Sequence, residues 1–592
     1  MARADTTSFD DAITAEVIRN GLAVAVEEAS VVVVRSAHST FIQEGADACA
    51  ALLDVRAQLV AQSTATSLMH AASLRCSLPW LLEAVALDTM EPGDVFGLND
   101  PYRGGIHAND ILVFRPIFAE RRVAFFAGTL VHVADVGGVA AGGLAALATD
   151  TFSEGLALPP VRLARAGKPA DEVLRIIGAN SRVPDKVLGD VDALVAGAHV
   201  IARRVDELMG RYGPAELQRF IDAALDQTER RMRAELAQLP AGTYHGGFTI
   251  DGDGVEAGRT FDVRVAVTCE AGGVHVDFAG TAAQSRGAIN ASISQTLSGV
   301  LYGIRCFVDP SIPMDEGCWR PLTTSLPAGS LVNPHPPAAC GGRVVAVAAA
   351  VEAILDALAG ARPDRASAAS GLIHVYTLAG SRGGAPWLNL FYEFGGLGAR
   401  VGADGADATG CFFLGGRSVI PQIEPLEAAY PLVVRAARLR PDSGGPGRWR
   451  GGLGVETVVE SLGDAVSTVR GDRMTIPPPG RDGGASGDAG QYLVERRDAP
   501  TEALAPKQAD VALGAGDRLV VRTSGGGGLG PPHARDPELV LADVVAGRVT
   551  PAGAARDYAV ALEPDGRTVD VQVTDGLRRR RPTPRATEPT AR

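Results

Sequence analysis

No two cysteines in this chain stand in a C-x-x-C or zinc-ribbon spacing. The seven, at positions 49, 76, 269, 306, 318, 340 and 411, are scattered and odd in number, a pattern that fits reduced thiols in a cytoplasmic protein better than a disulfide framework. Also missing are the phosphate-cradling G-x-x-x-x-G-K-[ST], the metalloprotease H-E-x-x-H and the G-x-S-x-G nucleophile elbow. Any ATP chemistry must therefore reside elsewhere. The N-terminus has no basic start followed by an apolar core, and its most apolar early run, Leu22 to Val34, is broken by Glu27 and Glu28. Neither a signal peptide nor a spanning helix is expected. A basic face is lacking too: 56 basic against 69 acidic residues leave a net charge of −13, which argues against nucleic acid and anionic membrane as partners.

What is present is organised around Asn99 to Gly138, NDPYRGGIHANDILVFRPIFAERRVAFFAGTLVHVADVGG. Two apolar β-prone runs, Ile111 to Phe118 and Val123 to Val133, flank the polar turn Ala119-Glu120-Arg121-Arg122, a hairpin pattern with histidine and aspartate at its open end. If three turn residues leave Phe118 opposite Arg122, Asp110 comes opposite Leu130, and period-2 alternation puts Asp110 and His132 on one face. His107, just after Gly104-Gly105, can swing in as a third ligand. Two imidazoles and a carboxylate suit a divalent first-row metal with an open position. The competing reading makes His132 a hydrogen-bonded core histidine and Asp110 or Asp135 a turn cap.

NDPYRGGIHAND followed by HVADVGG, then DTFSEGLALPPVRL at Asp150 to Leu163, resembles the signature of the hydantoinase B family. The resemblance continues through DFAGTAAQSRGAIN (Asp277 to Asn290), the run Ile312 to Pro321, SGGPGRWRGGLG (Ser443 to Gly454) and SGGGGLGPP (Ser524 to Pro532). It implies a metal site at His107, Asp110 and His132, and aligns Asp47 with a further metal-site carboxylate. Here the family's Arg-rich, Phe-Ser version is replaced by Gly45-Ala46-Asp47-Ala48-Cys49, and a usual Pro-Gly-Ser by Ala141-Gly142-Gly143.

Along the chain, Asp10 or Asp11 can cap a helix whose Ile13, Val17, Ile18, Leu22 and Val26 share a core-facing side, before a β-prone run at Val31 to Val34. A helix is expected around Leu68 to Leu87. Val139 to Ala148 suits either a mobile loop over a site or a tightly packed corner. Glu154 is the nearest downstream acid for proton transfer, or else a salt-bridge partner. Helices are expected from Val173 to Leu239, with Pro214 in a first turn, and strands at Tyr244 to Ile250, Thr260 to Val267 and Gly273 to Phe278. Gln295 to Val308 reads as a buried helix or strand, and Val344 to Ala361 as an Ala-rich helix packed on a sheet. The glycines of 395–416, 438–454 and 524–530 read as close backbone approaches at turns rather than a phosphate cradle. The fold class is mixed α/β (α+β) and multi-domain. Residues 1–240 form an α/β domain with the hairpin metal site, 241–440 a central α/β domain, 441–576 a β-rich portion, and 577–592 a disordered basic tail.

The resemblance implies a two-subunit machine. An A-type partner binds ATP and phosphorylates a cyclic amide, as in hydantoinase, 5-oxoprolinase or lactamase systems; this B-type chain, with one divalent ion (Zn or Mn), brings metal-bound water to the activated carbonyl. Asp135 or Glu154 would move the proton, with Asp135 better placed to orient His132. The expected assembly is a cytoplasmic hetero-oligomer acting on a small cyclic amide. The alternatives are the large subunit of an ATP-dependent ketone carboxylase, and a non-catalytic scaffold.

Overall fold

In a computed structural model, the described residues are 9–64, 69–409, 420 and 422–579. Their helices are α1 (Phe9–Ser36), α2 (Thr40–Gly45), α3 (Ala71–Ala84), α4 (Asp171–Ala179), α5 (Pro184–Tyr212), α6 (Pro214–Leu236), α7 (Ile293–Arg305), α8 (Glu316–Trp319), α9 (Val344–Ala361), α10 (Ile423–Ala429), α11 (Pro537–Val545), α12 (Pro551–Tyr558) and α13 (Val571–Arg579).

Four sheets carry the strands. The first joins β1 (Ala48–Asp54), β2 (Leu59–Gln62), β3 (Val95–Leu98), β4 (Asp110–Ala119), β5 (Arg122–His132), β6 (Val161–Arg165) and β7 (Lys168–Pro169) in the order β2-β1-β5-β4-β3-β6-β7. The second, β11-β10-β9-β8, uses β8 (Gly242–Ile250), β9 (Phe261–Glu270), β10 (Gly273–Asp277) and β11 (Leu322–Ser325). The third, β13-β12-β16-β19, unites β12 (Ile373–Arg382) and β13 (Ala385–Phe394) with β16 (Ala465–Arg470) and β19 (Lys507–Leu513), so strands from both sides of residue 440 share it. The fourth, β14-β15-β20-β17-β18, comprises β14 (Leu432–Leu439), β15 (Val455–Ser461), β17 (Gln491–Glu495), β18 (Glu502–Ala503) and β20 (Arg518–Arg522).

Helices cover both faces of the first sheet, which explains the near-continuous apolar runs of β4 and β5. Ile111, Val113, Ile117, Ala127 and Val131 pack into one core with α1 and α5. Leu112, Phe114, Phe126 and Leu130 point the other way, toward Leu74 and Leu78 of α3. In β9, by contrast, burial alternates strictly, with Phe261, Val263, Val265 and Val267 inward against α9. Met232, Leu236 and Leu239, at and just past the end of α6, join that second core.

Several expectations change. Val31–Val34 lie inside α1, not in a strand. β-branched residues lose only tenths of a kcal/mol each in a helix, so packing decides, and Val33 is buried beside Gly197 of α5. The inward side of α1 is Ile18, Leu22, Val26, Ala29 and Val33, whereas Ile13 and Val17 are exposed. Asp10 and Asp11 fall within α1 rather than before it. The hairpin turn is the two residues Glu120-Arg121, so Ala119 faces Arg122, and an extra residue at Ala124 bulges β5. These two one-residue differences add, and Asp110 pairs directly with His132 instead of Leu130. An even shift preserves the face, which is why both side chains still point the same way.

Gln295–Val308 resolves as α7, and α9, apolar and long enough to span a membrane, is a core helix instead. After β15 to β20 the chain continues into three helices, α11 to α13. Leu577, Arg578 and Arg579 complete α13, with Arg578 donating to the Arg535 carbonyl; residues 580–592 of the expected tail lie outside the described residues, as do Leu68, Cys411 and Gly416. The other six cysteines are free thiols.

Candidate metal centre

Two asparagines of the NDPYRGGIHAND stretch clip the open end of the β4–β5 hairpin. Asn109 donates to the Val133 carbonyl while its own carbonyl accepts the Val133 amide. Asn99 donates to the carbonyls of Ala108 and Leu156 and accepts the Leu158 amide. Between them, Gly104 takes φ 83° and lies against the backbone of Cys76 and Ser77 in α3. The Gly105 carbonyl accepts the hydroxyls of Ser292 and Ser294 at the start of α7. The glycine pair thus pins His107 rather than letting it swing, because a side chain at either position would collide with backbone.

The pinned His107 meets Asp110 and His132 in a buried triangle. His107 Nε2 lies 3.0 Å from Asp110 Oδ2 and 3.1 Å from His132 Nδ1, and His132 Nδ1 lies 3.4 Å from Asp110 Oδ1. Ligands about 2.05 Å from a tetrahedral zinc ion are about 3.3 Å from one another. The three donors are therefore already spaced as neighbours in one coordination sphere. Burial, followed by the charge of Arg343, pushes His107 down to about 3, leaving it the neutral imidazole that ligates metal. Burial works against the charge on Asp110 as well, yet His107 and Arg343 hold its carboxyl well below the usual range.

Around the triangle is a cavity of about 50 Å³, room for an ion and a few waters. Asp47 lines it from the start of β1 and sits 3.4 Å from His70 Nε2. Asp47 Oδ1 and Asp110 Oδ1 are buried and accept no hydrogen bond. Leaving a buried carboxylate oxygen unmatched costs about 1–3 kcal/mol, so both oxygens fit a cation absent from the chain itself. The residue set accordingly fits a divalent ion.

The other two expected site residues turn elsewhere. Asp135 is buried, but its carboxylate accepts the amides of Gly137, Gly142 and Arg182 and pairs with the Arg182 guanidinium at 2.9 Å. It makes no bond to His132, whose Nε2 has no hydrogen-bond partner. Glu154 accepts the amides of Cys340 and Gly341, directly behind the cavity wall. Burial raises its carboxyl to about 7. Val139–Ala148 is the packed corner: Ala140, Leu144, Ala145 and Ala148 are buried, and Gly142 and Gly143 line the cavity.

Three contributors escaped the sequence reading. His70, at the N-cap of α3, is buried, and desolvation lowers its pKa. Arg343, at the N-cap of α9, pairs with Asp110 at 3.2 Å. Arg470, at the end of β16, donates to the Gly341 carbonyl, and burial pushes it down to about 9. A signal did exist for Arg343. A cation at a helix N-terminus opposes the macrodipole, and Arg343 is followed by eight apolar residues before the first acid of α9, Glu352, so it needs an acid from elsewhere.

Residues 11–532 match the family model of hydantoinase B/oxoprolinase. The chain is 29% identical to the B-type subunit of a putative D-/L-hydantoinase from Pseudomonas sp. (strain NS671), over 96% of this chain and 98% of that one. Its fold matches the crystal structure of the ATP-dependent caprolactamase from Pseudomonas jessenii with a TM-score of 0.88 at 27% identity, covering 97% of this chain and 100% of that chain. A nucleotide-free acetone carboxylase structure shares the fold at a TM-score of 0.87 and 20% identity, over 96% and 82% of the two chains. With its family model spanning most of the chain, this protein belongs to the hydantoinase B/oxoprolinase family.

Proposed function

We propose that this chain is the metal-dependent B-type subunit of an ATP-dependent cyclic-amide hydrolase, completing ring opening of a small hydantoin, 5-oxoproline or lactam that a partner subunit activates by phosphorylation. The observation that carries the reading is the buried His107–Asp110–His132 triangle, with one unmatched carboxylate oxygen on Asp110 and another on Asp47 in the wall of the adjoining cavity. Asp47, which lines the same cavity outside the three clustered donors, is the candidate fourth ligand. When bound there, a divalent ion, zinc or manganese, supplies a Lewis acid and acidifies a coordinated water. Arg343 and Arg470 place two positive charges beside the cavity, suited to negative charge developing on a carbonyl oxygen. His70, kept neutral by burial and set against Asp47, is the group placed to hold or pass a proton. Asp135 and Glu154 act as positioning residues, fixing the 137–142 loop and the 340–341 wall.

ATP belongs to the partner, an A-type subunit of a cytoplasmic hetero-oligomer. Supporting this, the amides of Gly525, Gly526, Gly527 and Gly528 all donate to backbone carbonyls, those of Asp488, Gly452, Ala369 and Ala485. None of these four amides is left to cradle a phosphate. The fold shared with acetone carboxylase keeps one second reading, the large subunit of a ketone carboxylase.

The deciding experiment is metal content by mass spectrometry on the purified chain, beside His107→Ala and His132→Ala. About one ion per chain, lost in both variants, is the expected result. Assays with the partner then separate ATP-dependent ring opening from ATP- and bicarbonate-dependent ketone consumption. A wild-type chain that stays metal-free after supplementation, with and without the partner, overturns the metal reading and leaves the scaffold role.

A further inference from the structure

Away from the metal cavity, and sharing no lining residue with it, a polar pocket of about 380 Å³ opens between β8, the middle of α9 and the loop after β16. Its floor is Arg473. This side chain is 3% exposed, yet its guanidinium makes no hydrogen bond or ion pair with any described residue, and its Nε is fully buried without a partner. The guanidinium lies over the face of Phe248, 3.8 Å from the ring centroid, and feels the charges of Glu352, Asp472 and Asp251 only through space, with no hydrogen bond to any of them. Burying a guanidinium without a hydrogen-bonded anion is costly, and the fold compounds this by holding Arg473 at φ 60°. Asp251 enforces that conformation, accepting the amides of Met474, Thr475 and Ile476. The nearby Asp472 is engaged by Lys507 at 3.3 Å.

The facing wall is acidic. Glu352 of α9 is buried, and its two oxygens receive only long bonds from the Ser370 amide, at 3.3 and 3.4 Å. At the rim, Asp356 is paired with Arg481 at 3.1 Å. A guanidinium fork on one side calls for a planar oxyanion. Carboxylates on the other side disfavour a second negative charge and favour a hydrogen-bond donor.

We propose that this pocket is a second binding site, for a small monocarboxylate that also carries an N–H group, the carboxylate lying in the Arg473 fork and the N–H directed at Glu352. From Arg343 to Glu352 is nine residues of helix, about 13 Å, so the site lies along α9 from the metal cavity.

The test is calorimetric titration of the purified full chain with N-acetylglycine, acetate and inorganic phosphate, with metal content followed in every variant. N-acetylglycine is expected to bind saturably and more tightly than acetate. Arg473→Gln should weaken it at least tenfold, Arg473→Lys by less, and Glu352→Gln severalfold, with metal content as in the wild type. Should Arg473→Gln not fold, Arg473→Lys and Glu352→Gln decide by the same ratios. Absence of N-acetylglycine binding to the wild type, affinity unchanged in the folded variants, or phosphate binding more tightly than either carboxylate would overturn the proposal. Loss of metal plays no part in these outcomes, so the pocket and the metal centre fail independently.

Discussion

Two regions of this molecule bury many polar atoms, and they do so in opposite ways. In the glycine-rich layer, where segments near 396, 444–452, 484–487 and 525–528 lie backbone to backbone, amides meet carbonyls within the chain. Around the hairpin mouth, carboxylate oxygens and ring nitrogens remain unmatched. Buried polar groups almost always find partners. Backbone amides matched to backbone carbonyls therefore mark architecture, and clustered side-chain mismatch around a cavity marks a place for something the chain does not supply.

The contrast breaks first in the glycine layer. A Cβ at Gly525 would overlap the Ser443 carbonyl oxygen, and one at Gly396 the Gly452 carbonyl oxygen. Gly525→Ala or Gly396→Ala should destabilise by more than ~3 kcal/mol or abolish folding, measured by chemical denaturation. Gly463→Ala, with open space around it, should stay within about 0.5 kcal/mol of the wild type. Equal effects at all three positions would refute the backbone-contact account.

At the hairpin the pattern should reverse. His132→Ala is expected to empty the metal centre and lower partner-dependent activity by two or more orders of magnitude, while the circular dichroism spectrum of the metal-free chain is retained. Collapse of the fold in this variant would make the triangle architectural.

Asp135 sharpens the boundary between the two classes, since all its bonds are internal. Asp135→Ala should cost about 1–3 kcal/mol by unpairing Arg182 and the loop amides, with metal content kept. Metal lost in step with stability would return Asp135 to the metal's own support.

The smallest effect is on pH. Burial raises Glu352 from 4.5 to about 7. Between those values the folded chain retains a proton that the unfolded chain has released, so stability falls as pH rises through this window. Glu154 and Glu393, also raised to about 7, contribute with the same sign. Glu352→Gln should flatten the slope of unfolding free energy against pH from 4.5 to 7 by at most one proton; an unchanged slope would show that Glu352 titrates normally.

Legibility followed the range of the interaction. The strands of β8 to β10 could be read from period, because one face of each meets a core, and α9 from composition, because it is buried nearly all round. Val31–Val34 could not, since β propensity is weaker than burial against a helix that begins 150 residues later. The pairing of Asp110 with His132 was placed on the right face but two residues out of register, because a tight turn and a bulge leave no mark on the alternation.

Of the site itself, the sequence alone determined the chemistry on offer: two histidines and an aspartate brought together by a local hairpin, in a chain without a nucleotide motif. Only the tertiary structure decided what surrounds them. His70, Arg343 and Arg470 arrive from a helix start, a second helix cap and a distant strand end, while Asp135 and Glu154, close in sequence, are drawn into holding loops. The physical reason is that a hairpin fixes its own cross-strand neighbours through backbone pairing, whereas contacts between elements depend on how whole faces pack, and no local pattern encodes that.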